Sequence, residues 1–150
     1  MSVIPVPRIA SIEIPVSNLK RAVDWYCQFL GLELLGEYEQ SWKEAMMQFP
    51  GHVAGVPTIY LVKTESDDRL GFYNTNRGYT QSIIDFYVPD LSAFHRKLAS
   101  HGVKTNREHV VLNPGEISGF GFFDPDGNSL GATNAVFQGQ AALSQSGVLA

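Results

Sequence analysis

The feature that most constrains this chain is that it repeats itself. Ile12-Glu13-Ile14-Pro15-Val16-Ser17-Asn18-Leu19 returns 72 residues later as Ile84-Asp85-Phe86-Tyr87-Val88-Pro89-Asp90-Leu91. In both copies an apolar-rich stretch with a carboxylate at its second position runs into an Asn or Asp and then a leucine. The β-rich stretch predicts a strand, and the Asn or Asp predicts a helix N-cap. Apolar residues then recur at helical spacing, as Leu19, Ala22, Val23, Tyr26, Phe29 and Leu30 in the first copy and Leu91, Phe94 and Leu98 in the second. Gly31 and Gly102 follow where a helix-ending glycine belongs. Similarity at one fixed offset means two copies of one supersecondary unit.

The remainder of each copy reads as strands. In the first, Leu32-Glu33-Leu34-Leu35 opens a strand, residues 38–49 suit a hairpin through Glu39-Gln40-Ser41, and residues 58–64 form another strand after a Gly/Pro-rich loop. In the second, Val103 opens a strand and residues 107–112 lead to Pro114-Gly115. The copy ends in a hairpin in which Phe120, Phe122 and Phe123 precede Asp124-Pro125-Asp126-Gly127-Asn128. Pro presets φ, Asp and Asn bond nearby backbone, and Gly supplies positive φ, so this pentapeptide is a turn. Each copy is therefore βαβββ, and the fold class is α+β. Module one spans about residues 8–64, a polar connection 65–80, and module two about 81–134, together one domain over 1–134. The Ala-, Gln- and Ser-rich stretch 135–150 is expected to be a mobile tail or a short docked helix.

Composition narrows the function. Of 150 residues 44% are hydrophobic and 17% charged, which suits a packed domain rather than a disordered chain. A net charge of -4, with no basic cluster longer than Lys20-Arg21 or Arg96-Lys97, argues against nucleic acid and anionic membranes. No apolar run reaches bilayer length, and the N-terminal residues lack a basic region followed by an apolar one. One cysteine, Cys27, excludes an internal disulfide and points to the cytoplasm. It has no evident His or Lys partner and is read as structural or exposed. His52, His95, His101 and His109 stand at no short metal-binding spacing and are expected on the surface or in loops.

The paired βαβββ units, Trp25-Tyr26 and Phe29-Leu30-Gly31-Leu32 in the first helix, and the late Asp-Pro-Asp-Gly-Asn turn resemble the vicinal oxygen chelate superfamily over roughly residues 8–134. That superfamily includes glyoxalase, bleomycin-resistance proteins, fosfomycin-resistance enzymes and extradiol dioxygenases. The resemblance implies a mixed sheet curled around a cleft, and a homodimer. It also implies where metal-binding relatives carry His and Glu ligands, and here those positions fall on Ser11, Tyr60, Ile83 and Gly131. Divalent ions want imidazole or carboxylate donors, so the expectation is no metal cofactor.

What remains chemical is the pair Glu13 and Asp85. Each lies two residues past a lost ligand position and so faces the same side of its strand. A carboxylate between apolar strand neighbours needs a reason. It contacts a cationic or hydroxyl-bearing ligand, acts as a general acid or base, or bonds a neighbour to hold the modules together. Trp42 and Tyr60 are the aromatic candidates for lining a cleft, and Thr133, on the parity of Gly131, adds a hydroxyl. One of Met46 and Met47 must face inward. The resulting expectation is a metal-independent binder of a small cationic or aromatic molecule. The alternative is a divalent-metal-dependent lyase, isomerase or dioxygenase, lactoylglutathione-lyase-like or dioxygenase-like, that uses unconventional ligands.

Overall fold

The computed structural model describes residues 2–140. Module one is built from β1 (Ser11–Val16), α1 (Leu19–Leu30), β2 (Glu33–Leu34), β3 (Glu44–Gln48) and β4 (Thr58–Lys63). A hairpin follows, β5 (Phe72–Asn74) and β6 (Tyr79–Gln81). Module two comprises β7 (Ile84–Tyr87), α2 (Leu91–Ser100), β8 (Gly119–Phe123) and β9 (Ser129–Thr133), and a 3-10 turn covers Gln138–Gln140. The tail expected over 135–150 thus includes that turn, and residues 141–150 lie outside the described residues.

The sheets repeat as the sequence does. Module one orders its strands β1-β4-β3-β2, with β1 parallel to β4 and the other pairs antiparallel. Module two orders them β7-β9-β8, again with its first strand parallel to its last. The place of β2 is taken there by a single antiparallel bridge, Thr105 to Phe122, so the strand expected from Val103 shrinks to that contact. The result is α+β, with two open mixed sheets that curl without closing into a barrel.

The helices form where their caps require. Asn18 Oδ1 accepts from the Arg21 N–H at 3.0 Å and Asp90 Oδ1 from the Ala93 N–H at 3.0 Å. Gly31, at φ 67°, ends α1, and its N–H reaches back to the Cys27 carbonyl. Alternation then decides what is buried. Ile14 and Val16, Ala45 and Met47, and Ile59 and Leu61 face α1 and are buried. Their neighbours Glu13 and Met46 are exposed and Tyr60 is half-buried, so the Met pair splits with Met47 inward. Each fully buried side chain of this size contributes about 1.5–3 kcal/mol.

Further features depart from the sequence reading. The polar connection 65–80 carries β5 and the start of β6, and so forms a hairpin of its own. The stripe that α2 buries is Leu91, His95 and Leu98, with Phe94 only partly covered. His95 is therefore not a surface histidine: its Nε2–H donates to the Arg107 carbonyl at 2.6 Å, which satisfies the ring inside the core.

The Asp-Pro-Asp-Gly-Asn turn also joins the modules. Asp124, buried, accepts from Tyr26 Oη of α1 at 2.7 Å, from the backbone N–H groups of Asp126 and Asn128, and from Asn128 Nδ2 at 2.7 Å. Asn128 Nδ2 also donates to the Pro15 carbonyl on β1. Asp126 takes Arg21 at 3.1 Å and the Ser17 N–H at 3.0 Å. Burial, reinforced by the neighbouring Asp124 carboxylate, pushes the Tyr26 phenol far above its ordinary value of 10.0.

Candidate functional site

The inward face of module two lines a cleft of about 840 Å³. Its floor is the face of β8 and β9 that carries Gly119, Gly121, Gly131 and Thr133, bordered by Asp85 and Ser82. The β5–β6 hairpin forms one wall with Arg77, Tyr79 and Gln81, and the strap Lys104-Thr105-Asn106 forms the other.

The floor is shaped by what its glycines omit. In register across the sheet, Asp85 pairs with Gly131 and Gly131 with Gly121. A Cβ on Gly131 would collide with Asp85 Oδ1 and come within 2.7 Å of Ser82 Oγ. The Asp85 carboxylate thus lies over β9, in the space a side chain at 131 would take, and Ser82 Oγ donates to it at 3.2 Å. A Cβ on Gly121 would stand 3.1 Å from Asn106 Nδ2, because the Asn106 amide lies over β8 in the same way. At Gly119 the constraint is backbone, with the Ala132 carbonyl 2.7 Å from an added Cβ. Glycine inside a strand marks close approach by another group, and here that group is polar.

The five contact residues expected from the sequence are divided. Asp85 and Thr133 line this cleft together. Glu13 and Tyr60 stand side by side on the open face of module one, paired across β1 and β4, and do not line it. Trp42 packs edge-to-face on Tyr38 at 5.7 Å and beside Gly36, away from the cleft. This cleft carries one acid, Asp85, with the cations Arg77 and Lys104 at its walls. Lys104 Nζ sits 5.1 Å above the Phe123 ring, and Arg77 donates to Tyr79 Oη at 3.1 Å. Asn106, Ser82, Gly119 and Gly121 escaped the sequence reading, which had singled out Gly131 and Thr133 on this face. The signal that would have found them is the alternation of Gly119, Gly121, Gly131 and Thr133 on one strand face.

The four positions at which the resemblance would place metal ligands offer few donors. Ile83, well exposed, and Gly131 bring no donor, while Ser11 and Tyr60 bring a neutral hydroxyl and a phenol. Among the described residues no three His, Cys, Asp or Glu side chains come together in a metal-holding group. Cys27, half-buried on α1, has its thiol pushed up by burial, which suits a packing role. No helix among the described residues is long and apolar enough to cross a membrane.

Solved structures share the arrangement. A member of the glyoxalase/bleomycin resistance protein/dioxygenase superfamily from Sphaerobacter thermophilus DSM 20745 superposes with a TM-score of 0.62 at 21% identity, covering 85% of this chain and 97% of that one. TnmS3, an antibiotic binding protein from Streptomyces sp. CB03234, gives 0.58 at 20% identity, covering 87% and 97%. The fosfomycin resistance protein FosX from Listeria monocytogenes gives 0.60 at 16% identity, covering 91% and 95%. At these identities the likeness is one of fold. No curated protein matches the sequence. The family description "Glyoxalase/Bleomycin resistance protein/Dioxygenase superfamily" matches residues 8–131, most of the chain. That match spans nearly all of both modules, and the chain belongs to the glyoxalase/bleomycin resistance protein/dioxygenase superfamily.

Proposed function

We propose that this protein is a metal-independent small-molecule binding protein and that its ligand occupies the module-two cleft. The observation that carries the proposal is the cleft of about 840 Å³, within the range of small-molecule sites, with Asp85 and Asn106 laid flat over glycines on its floor. Strands that only had to pack would have no use for glycines here. That TnmS3, of the same fold, is an antibiotic binding protein supports small-molecule binding as the class of activity.

Asp85 and Thr133 are the sequence-derived contacts within this reading. Glu13 and Tyr60 stand on the open face of module one, outside the cleft, and a second copy docks on that face, so a homodimer is part of the proposal. Trp42 has no part in the cleft and stabilises the β2–β3 connection. The single cysteine favours a reducing, cytoplasmic setting.

Amide NMR with a panel of flat aromatic compounds tests the proposal. Binding should move the amides of Gly119, Gly121, Gly131 and Thr133 and leave that of Gly31 in place. Gly121→Leu, which displaces Asn106 and fills the floor, should abolish the shifts while the fold persists. Shifts confined to other surfaces would overturn the assignment. Binding that disappears after dialysis against a chelator and returns with a divalent ion would overturn metal independence.

A further inference from the structure

The floor of the cleft holds two polar tips whose chemistry is fixed by their neighbours. Asn106 Oδ1 accepts from the Gly121 N–H at 2.7 Å. A backbone N–H can only donate, so the amide oxygen must be the atom facing it, and Nδ2 is left as the free donor aimed across the floor. Asp85 offers the opposite. Ser82 Oγ donates to Oδ1, and the other carboxylate oxygen remains an acceptor. These tips lie over Gly121 and Gly131, which are directly paired across β8 and β9. Backbones so paired are about 5 Å apart, so both tips lie over one facing pair of residues on the same sheet.

Resting on the cleft reading above, we propose that the ligand presents a cis-amide edge, an N–H beside a carbonyl as in a lactam, imide or primary carboxamide. The N–H donates to Asp85 and the carbonyl accepts from Asn106 Nδ2. In a cis amide the N–H and C=O leave the same edge and diverge, so their partners fall a few ångströms apart in one plane, matching two tips laid on one sheet. Ser82 and Gly121 hold those tips in place before the ligand arrives, which lowers the ordering cost of binding. A site built for such an edge discriminates strongly against a ligand lacking it, because Asp85 and Asn106 then lose water without gaining partners.

The probes are 2-quinolone, which has the lactam edge, and 1-methyl-2-quinolone, which keeps the ring and carbonyl but lacks the N–H. Each is titrated into the full chain and followed by the cleft amides. The lactam should bind roughly tenfold or more tighter than its methylated form, from one hydrogen bond to a charged group. Asp85→Ala should reduce that preference to near unity, whereas Asn106→Ala, whose donor meets a carbonyl that both probes keep, should weaken both probes alike. Equal binding of both probes at the cleft amides leaves the cleft reading standing and overturns the cis-amide assignment. A preference that survives Asp85→Ala also overturns it. Absence of cleft shifts with either probe overturns both.

Discussion

The same row of the same sheet is written differently in the two modules. In module one it runs Glu13, Tyr60, Met46 across β1, β4 and β3. In module two it runs Asp85, Gly131, Gly121 across β7, β9 and β8. Strand order, parallel pairing and the leading acid are common to both. What differs is that module one fills its two inner positions with large side chains and module two empties them. An emptied row lets Asp85 and Asn106 lie down on the sheet, so deleting side chains adds polar groups to the floor of a cleft. The repeat supplies the frame, and the difference between its copies supplies the site.

The modules also differ in how their last hairpins close. Residues 49–57 connect β3 to β4 through an exposed loop with His52 at φ 50°. The corresponding turn of module two is knotted through Asp124 into α1 and β1. Asp124→Ala orphans the Tyr26 hydroxyl and two backbone N–H groups and removes one of the two acceptors of Asn128 Nδ2, and should lower unfolding stability by about 3–4 kcal/mol. His52→Asn, in a residue type that tolerates positive φ, should stay within about 0.5 kcal/mol. Denaturant unfolding measures both, and equal losses would show that the knot does not hold the modules together.

The knot also sets a pH limit. Tyr26 has a raised folded pKa, so its contribution is fully present below the unfolded value near 10 and falls as pH rises above it. Unfolding stability measured from pH 8 to 12 should decline more steeply in the native chain than in Tyr26→Phe, which has no phenol to ionise. Identical slopes would place the alkaline sensitivity elsewhere.

Much of this was legible from residues alone, for identifiable reasons. The 72-residue offset, the Asn18 and Asp90 caps and the glycines after both helices are local signals with local causes, and they gave both modules. The β5–β6 hairpin was not legible, because Phe72–Asn74 and Tyr79–Gln81 are three-residue strands within polar sequence, too short for alternation to speak. His95 was misplaced because its burial depends on the Arg107 carbonyl, twelve residues away. At the site, the parity of Asp85 and Thr133 could be read. That Asp85 reclines over Gly131 while Glu13 stands beside Tyr60 depends on cross-strand register, which no single strand reveals.

The acids of the two rows can be compared directly. With 2-quinolone as probe, Asp85→Ala should weaken binding roughly tenfold, the worth of a hydrogen bond to a charged acceptor. Glu13→Ala should change it less than about twofold, since Glu13 does not line the cleft. Comparable losses from both would mean that the two faces contribute to one site in solution, and sedimentation of the two variants would then show whether a second chain brings them together.

The smallest effect tests the likeness rather than the difference. Gly31 and Gly102 end equivalent helices at φ 67° and φ 74°, and a Cβ added at either would meet nothing within 4 Å. Alanine at each position therefore bears only the backbone penalty of the left-handed conformation, about 1 kcal/mol. If the modules share one frame, Gly31→Ala and Gly102→Ala should lower stability equally, within about 0.3–0.5 kcal/mol, and their losses should add in the double variant because the positions share no partner. The ends are not identical in detail, since Gly31 donates to the Cys27 carbonyl whereas Gly102 donates to Ala99 and Val103 to Leu98. A larger loss at Gly102 would mean that the α2 turn is tied to the Lys104-Thr105-Asn106 strap that follows it, and 2-quinolone affinity in Gly102→Ala would then fall along with stability. Unchanged affinity with equal losses would confine the difference between the modules to the rows of their sheets.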